Sequence, residues 1–380
     1  MKRVCAVGAA VAAAIVCALP ASSSAPAPGL QSAVGVYRFA DGTAAALVEQ
    51  NGALRLVDYR TGALRQLAQR SRTLFVGGPG VSVPSPVEIR VGLVAGAGGT
   101  VAALRLDGRL ATRIPAVSTP ASFGDGGVRI AGRLLLPPGK GPFPAVELVP
   151  GSVPATRDTY DLWAMFFVSR GFAVLSYDKR GVGTSTGTYV RAATDANLRN
   201  LAADALAGVE WLKRRRDIDP QRIGLSGGSQ AGWVIELAAS QSADVRFAAL
   251  QSGPAMSVGQ QLAYSGLTHE GAVDPTDAQI HAALADAPDS GFDPRPLLAA
   301  LRIPILWQLG SVDKRMYAPE TLANLAAIEA SGTHHFTIHV YPGGAHSLRE
   351  TAHGLIAEER TSPGFVPGVF TDLAAWLRGR

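Results

Sequence analysis

From about Val117 onward the chain alternates between short apolar runs and amphipathic helical patterns, and this alternation limits the folds that it can adopt. The apolar runs, each of strand length, are Val128–Leu136, Ala145–Leu148, Phe172–Tyr177, Ile223–Ser226, Phe247–Gln251, Ile303–Leu309 and Phe336–Tyr341. The helical patterns are Leu162–Val168, Leu198–Leu212, Trp233–Ala239, Glu320–Ala330 and Phe370–Leu377. Strands separated by helices form a mostly parallel sheet with helices on both faces. The alternation therefore predicts an α/β fold for residues 117–380, with functional residues beyond the carboxyl ends of the strands.

Residues 28–116 follow a different pattern, in which glycine turns separate alternating runs. The turns are Asp41-Gly42, Asn51-Gly52 and Thr61-Gly62. Asp-Gly and Asn-Gly between alternating runs are strong hairpin signals. The runs are Val34–Phe39, Ala44–Glu49, Leu54–Tyr59, Leu64–Leu67, Val87–Val94 and Val101–Leu106. We expect a small antiparallel β domain here, accessory to the α/β domain and too short for a propeller, which closes with about four to eight blades.

The first 27 residues carry the three parts of a secretory signal peptide. Two cations precede the apolar run Val4–Leu19, and small residues extend from there to Ala27. The run is shorter than the ~20 residues of a membrane span, which favours cleavage between Ala21 and Ala27 over an uncleaved N-terminal anchor. We therefore expect a secreted, periplasmic or cell-envelope protein with no stable membrane span after cleavage.

The charge balance gives no reason to expect a nucleic-acid partner. The net charge of +5 includes Lys2 and Arg3, and it falls to about +3 when these two residues leave with the signal peptide. The densest basic run, at 213–216, closes a helical pattern, where cations complement the helix dipole. A solvated helix end therefore explains the run better than a nucleic-acid surface does.

A strand-to-helix turn with the sequence Gly227-Gly228-Ser229-Gln230-Ala231-Gly232 is the strongest sign of chemistry in the chain. A serine hydroxyl becomes an effective nucleophile when it projects from the backbone beside a base and beside N–H groups that stabilise an oxyanion. A tight turn with small residues on both sides meets this need. The pattern predicts Ser229 as a nucleophile, although taken alone it also fits a flexible Gly/Ser loop.

A base and a carboxylate follow Ser229 at the ends of later strands. Asp313 lies in the loop after Ile303–Leu309, and His346 lies in the loop after Phe336–Tyr341. In this order, and each just past a strand, the three residues have the arrangement of a catalytic triad. His346 would take the proton of Ser229 and return it to the leaving group, while Asp313 would orient the imidazole. The three coincident positions favour catalysis over a flexible loop.

Other polar residues fit catalysis less well. His353, close in sequence to His346, falls in a segment with helical surroundings rather than at a strand end. His335 and His339 share one face of a predicted strand but lie ~13 Å apart along it, too far for a common zinc ion. Asp178 stands beside two cations, so we predict a structural ion-paired turn there.

Two backbone amides are expected to form an oxyanion hole. The amide of Gln230, the residue after the nucleophile, is the first. The second is assigned to Ser152, in the loop after Ala145–Leu148, where Gly151 allows close approach. An ordinary Pro-Gly turn is the alternative for this loop.

Four segments of the chain carry a resemblance to a known family, and they are Tyr177–Ser185, Gly227–Trp233, Gly310–Asp313 and Gly343–His346. Together they resemble bacterial α/β-hydrolase serine esterases, a group similar to dienelactone-hydrolase-like, acyl-thioesterase-like and prolyl-oligopeptidase-like proteins. The resemblance covers the chain from about residue 117 and implies the α/β-hydrolase fold, with a cap or lid around 254–301. The sequence departs from the group at Pro150, where a histidine often precedes the oxyanion glycine.

The sequence thus predicts an exported serine hydrolase that cleaves small-molecule carboxylic esters through an acyl-enzyme on Ser229. Acyl transfer of this kind requires neither a metal nor an organic cofactor. A peptidase, an amidase or a thioesterase on the same triad is the alternative within the enzyme class. A non-catalytic exported binding module is the alternative outside it, because a fold does not dictate a function.

Overall fold

The computed structural model describes residues 30–50, 52–124, 126–287 and 290–380, and their strands form two sheets. The predicted signal peptide, residues 1–27, lies outside the described residues. Within the described ranges, no helix combines the length and the apolar character that crossing a bilayer requires.

The first sheet has nine antiparallel strands in the order β4-β3-β2-β1-β9-β8-β7-β6-β5. They are β1 (Gly35–Phe39), β2 (Ala44–Gln50), β3 (Ala53–Asp58), β4 (Leu64–Gln66), β5 (Ala68–Gln69), β6 (Leu74–Gly77), β7 (Ile89–Ala95), β8 (Val101–Leu106) and β9 (Arg109–Arg113). Because Leu67 alone separates the two edge strands in the chain, the sheet curls into a barrel-like shape. Three of these strands, β5, β6 and β9, were not predicted; β9 begins and ends with arginine, which hides its apolar positions.

Both faces of strands β1 and β2 are buried, against different partners. Tyr37 and Leu47 belong to a cluster inside the curled sheet, whereas Val36 and Ala46 belong to a cluster shared with the C-terminal half. Side chains alternate between the two faces of a strand, so neighbouring residues serve the two clusters in turn. The first sheet is therefore attached to the rest of the molecule by one of its faces.

The second sheet has eight strands in the order β10-β11-β13-β12-β14-β15-β16-β17. They are β10 (Val117–Phe123), β11 (Ile130–Leu136), β12 (Phe143–Leu148), β13 (Ala173–Tyr177), β14 (Ile218–Gly228), β15 (Phe247–Gln251), β16 (Ile305–Gly310) and β17 (Phe336–Tyr341). Strands β12 to β17 pair in parallel, and β10 and β11 pair antiparallel at one edge. The edge strand β10 was not predicted because it contains Pro120, which a sheet tolerates at an edge.

Helices cover both faces of the second sheet, as predicted. The helices are α1 (Leu30–Ala33), α2 (Asp161–Ser169), α3 (Asp195–Lys213), α4 (Ala231–Gln241), α5 (Val258–Leu267), α6 (Asp277–Ala285), α7 (Arg295–Ala300), α8 (Ala318–Ala330) and α9 (Val369–Trp376). One face packs against α3, α4 and α8, and the other packs against α2 and α9. The α2–α9 layer also contacts the first sheet, since the Tyr59 ring meets Phe166 at 5.3 Å and Phe370 at 5.0 Å.

Phe370→Ala is expected to lower the free energy of unfolding by about 3–5 kcal/mol, because it empties a buried site between the two sheets. Phe370 is 2% exposed, and its ring also contacts Phe166 and Phe365. Chemical denaturation followed by fluorescence measures the change. Leu110→Ala in β9 removes an apolar side chain that is 47% exposed and is expected to cost about 0.5 kcal/mol or less. Equal losses in the two variants would contradict this account of the interface.

Candidate active site

Ser229 lies at a strained turn between β14 and α4. Its backbone φ is 59°, in the left-handed region that non-glycine residues seldom occupy. The turn is fixed on both sides, because Ser229 N–H donates to the Gln251 carbonyl at 3.0 Å and its own carbonyl accepts from Gly232 N–H at 2.8 Å. A Cβ on Gly227 would lie 2.5 Å from the Val149 carbonyl oxygen, so glycine is required before the turn. The half-buried Ser229 side chain consequently projects beyond the carboxyl edge of the sheet.

Asp313 and His346 are in direct contact. His346 Nδ1 lies 2.8 Å from Oδ2 of Asp313 and 3.1 Å from Oδ1. The Asp313 side chain is fully buried, and its Oδ1 also accepts backbone N–H groups from Arg315 at 2.7 Å and Met316 at 2.9 Å. With the carboxylate held in this way, Nδ1 carries the proton that it donates, which leaves Nε2 as the basic nitrogen.

Glycine allows the two loops to meet. A Cβ on Gly310, at the end of β16, would lie 2.2 Å from the Gly344 carbonyl oxygen and 2.5 Å from that of Ala345. The same approach lets Val312 N–H donate to the Gly344 carbonyl at 3.1 Å. The loops that carry Asp313 and His346 therefore touch through backbone before their side chains do.

Ser229 and His346 line the same two cavities, of about 300 and 330 Å³. Among the described residues, no hydrogen bond joins Ser229 Oγ to His346; such contacts are often long in a site without substrate. The first cavity is also lined by Val48 and Leu64 of the first sheet and by Trp163 and Phe365, and the second by Trp233, Arg191 and Leu262. Leu262 belongs to α5, in the segment 254–301 where the family resemblance predicts a lid.

The two amides assigned to the oxyanion hole are unengaged. Neither Gln230 N–H nor Ser152 N–H donates to an acceptor within the described parts of the chain. The other polar backbone atoms of Gly151 and Ser152 are bonded. Gly151 N–H donates to Tyr160 Oη at 3.1 Å, the Gly151 carbonyl accepts from Lys179 Nζ at 2.6 Å, and the Ser152 carbonyl accepts from Tyr189 Oη at 2.6 Å. Three of the four polar backbone atoms of Gly151 and Ser152 are thus bonded to side chains of other parts of the chain.

Tyr160 is a site residue that sequence reasoning missed. Its hydroxyl accepts from Gly151 N–H, and the residue lines the first cavity together with Ser229. Burial raises the pKa of Tyr160, partly offset by the hydrogen bond from Gly151, so the hydroxyl keeps its proton at neutral pH. No local pattern marks this tyrosine, because its relation to the site arises only when α2 packs beneath the loop.

Asp178 lies in an ion-paired turn, but its partner is not one of the two cations beside it. Arg157 holds the carboxylate through Nε at 3.0 Å and Nη2 at 2.6 Å, and Thr184 N–H donates at 2.8 Å. Burial would raise the pKa of Asp178, but the hydrogen bonds from Arg157 and Thr184 outweigh it and lower the pKa to about 2. Asp178 is therefore a permanent anion that joins two loops.

His346 is the one histidine among the described residues that line the two cavities beside Ser229. His353 lies in a loop rather than a helix, exposed, with its Nδ1 2.8 Å from Glu358. His339 lies on the edge strand β17, 3.9 Å from Asp372. Within the described part of the chain, no group of three or more His, Cys, Asp or Glu residues is arranged to hold a metal ion.

Two solved structures of similar fold are an esterase and a peptidase. The Pyrococcus furiosus esterase PF2001 has a TM-score of 0.47 and 17% identity, over 60% of this chain and 83% of that chain. The Pyrococcus horikoshii acylaminoacyl peptidase has a TM-score of 0.49 and 16% identity, over 83% of this chain and 52% of that chain.

Two sequence relatives and a family profile each match a part of this chain. Esterase FrsA of Escherichia coli is 33% identical over 107 residues, which are 28% of this chain and 26% of FrsA. The FrsA of Enterobacter sp. (strain 638) is 32% identical over 91 residues, which are 24% of this chain and 22% of that protein. The match thus spans about a quarter of these relatives. The profile of the prolyl oligopeptidase family matches residues 159–371, more than half of the chain.

Proposed function

We propose, because this chain belongs to the prolyl oligopeptidase family of serine hydrolases, that it hydrolyses small-molecule carboxylic esters through an acyl-enzyme on Ser229. The observation that carries the proposal is the 2.8 Å contact between His346 and Asp313, beside two cavities that Ser229 also lines. Its likeness to the esterase FrsA favours esters among the possible substrates.

The proposed reaction has two halves, acylation of Ser229 and hydrolysis of the acyl-enzyme, and each group of the site acts once in each half. His346 Nε2 takes the Ser229 proton as Oγ attacks the carbonyl carbon, and Asp313 stabilises the imidazolium that forms. The oxyanion forms hydrogen bonds with the amides of Gln230 and Ser152. His346 then gives the proton to the alcohol as the ester C–O bond breaks, and a water molecule repeats the sequence on the acyl-enzyme.

The Tyr160 hydroxyl supports the same intermediate in this proposal. It keeps its proton, faces the first cavity and already contacts Gly151, beside the Ser152 amide. The acyl and alcohol parts of the ester would occupy the two cavities, one on each side of Ser229. Binding of the acyl part and the alcohol part therefore depends on residues of the first sheet and of the segment 254–301.

Wild-type protein is expected to be labelled by a fluorophosphonate probe, and Ser229→Ala is expected to abolish the label, because Ser229 Oγ is the proposed nucleophile. His346→Ala is expected to slow labelling and ester turnover by about a thousandfold or more, since the hydroxyl loses its base. Ser240→Ala, an exposed serine at the end of α4, is the matched control and is expected to label as wild type does. Undiminished labelling of Ser229→Ala would contradict the proposal that Ser229 is the nucleophile.

Peptide or amide cleavage is the second candidate, and membership of a family named for an oligopeptidase favours it. We expect p-nitrophenyl butyrate to exceed the matched p-nitroanilide and thioester in kcat/KM by at least about tenfold, the scale of 1.4 kcal/mol. We also expect short acyl chains to exceed dodecanoate, because each cavity holds only about 300 Å³ or slightly more. Faster cleavage of the anilide than of the ester would contradict the proposed esterase and support a peptidase or amidase instead.

We also propose that the protein is exported, on the strength of the charged, apolar and small-residue parts of residues 1–27. Expression of the full chain in a bacterium is expected to yield a periplasmic or extracellular form whose N-terminus lies between Ala21 and Ala27. N-terminal sequencing of each cell fraction measures this. A chain that begins at Met1 and stays in the cytoplasm would exclude export.

A further inference from the structure

We propose that Lys179 is a positioning residue that orients both backbone donors of the oxyanion hole. The inference rests on the proposed function, because it concerns the same site. Lys179 directly follows the loop residue Asp178 after β13, and no step of the reaction above uses it. It nevertheless contacts Gln230, one proposed oxyanion donor, and Gly151, whose carbonyl shares a peptide group with the N–H of Ser152, the other proposed donor.

The Lys179 ammonium is buried between Gln230 and Gly151, the residue before Ser152. Only 1% of the side chain is exposed, and Nζ donates to the Gly151 carbonyl at 2.6 Å and to Gln230 Oε1 at 3.1 Å. Burying a charge costs free energy unless hydrogen bonds offset the loss of water. A buried cation whose hydrogen bonds go to the oxyanion loop and to the residue after the nucleophile indicates a role in the geometry of both.

Peptide geometry links the first contact to a donor. The Gly151 carbonyl and the Ser152 N–H belong to one planar trans peptide, so they point in opposite directions. Fixing the carbonyl on Lys179 therefore turns the Ser152 N–H away from the ammonium. Tyr160 and Tyr189 hold the neighbouring Gly151 N–H and Ser152 carbonyl, which leaves the Ser152 N–H as the unengaged group of this pair of residues.

The second contact fixes the other donor. Gln230 is 5% exposed, and its side chain accepts from Lys179 and donates through Nε2 to the Arg191 carbonyl at 3.0 Å. Gln230 is also the N-terminal cap of α4, so anchoring its side chain limits rotation of its backbone N–H. One ammonium thus sets the separation between two donors whose loops are far apart in sequence.

We expect the Lys179 ammonium to lose its proton within the pH range in which the activity can be assayed. Burial lowers the pKa of Lys179 to about 8, against the opposing effect of Asp204. Asp204 of α3 is shared with Arg180, and the Tyr189 ring faces Nζ at 5.6 Å. Asp178, the residue before Lys179, is neutralised by its ion pair with Arg157. The cation is present below pH 8 and is lost as the pH rises through 8, which removes two charge-assisted hydrogen bonds.

Lys179→Met, which keeps the length and apolar stem but removes the donor, is expected to lower kcat for p-nitrophenyl butyrate by about 10- to 100-fold. KM is expected to stay within about twofold, because the donors act on the oxyanion and not on the bound ester. The melting temperature is expected to fall by only a few degrees, because losing the buried charge offsets part of the cost of leaving the Gly151 carbonyl and Gln230 Oε1 without their donor. Lys213→Met, on the exposed end of α3, makes the same change outside the site and is the control.

Two further measurements separate positioning from a merely structural role. The wild-type kcat is expected to fall above about pH 8, and this alkaline limb is expected to vanish in Lys179→Met. Lys179→Cys, aminoethylated while unfolded and then refolded, restores an ammonium of nearly the same length and is expected to recover most of kcat. Wild-type protein taken through the same treatment is the control.

The outcomes distinguish this inference from the function on which it rests. Absence of Ser229-dependent ester turnover in the wild type would overturn the proposed function. With that turnover present, an unchanged kcat in Lys179→Met would overturn the role of Lys179 alone. A fall in kcat that is explained by partial unfolding of the variant at the assay temperature would do the same. If Lys179→Met does not fold, a wild-type kcat that stays level from pH 7 to pH 9.5 overturns it.

Discussion

The site depends on the parallel pairing of β14, β15, β16 and β17. Their register sets Gly228 opposite Gln251, Gln251 opposite Gln308, and Gly310 opposite Tyr341. Because parallel strands in register end at the same edge, the turn after β14 and the loops after β16 and β17 emerge at one edge of the sheet. Residues separated by more than a hundred positions in the chain then need only short loops to meet, and the close approach at Gly310 completes the contact.

The first sheet contributes more to this site than an accessory domain would suggest. It packs on α2, and the Tyr59 hydroxyl donates to the Leu162 carbonyl in the first turn of that helix at 2.6 Å. Tyr160 immediately precedes α2 and contacts Gly151. Packing of the first sheet therefore affects the loop of Gly151 and Ser152 through one helix. Val48 and Leu64 of the same sheet line the first cavity.

The sequence was sufficient for the fold class and for the residues that follow strand ends. The predicted α/β-hydrolase fold is confirmed, and strand-end positions led to Ser229, Asp313 and His346 because apolar periodicity is a local signal. Strand β9 was missed since its arginines obscure that signal. Tyr160 and the partner of Asp178 were missed for another reason: each contact joins loops that only the packed helices bring together, so no local pattern records it.

The loop after β13 shows how much of the site is held by such non-local contacts. Three consecutive charged residues each bond to a different part of the chain: Asp178 to Arg157, Lys179 to Gly151 and to Gln230 at the start of α4, and Arg180 to Asp204 of α3. Buried charge is costly unless it is satisfied, and here each charge is satisfied by hydrogen bonds. Arg157 pairs with Asp178 and Arg180 pairs with Asp204, whereas Lys179 donates to the neutral oxygens of Gly151 and Gln230. The same loop thereby joins the sheet, α3 and the turn at Ser229 around the proposed oxyanion hole.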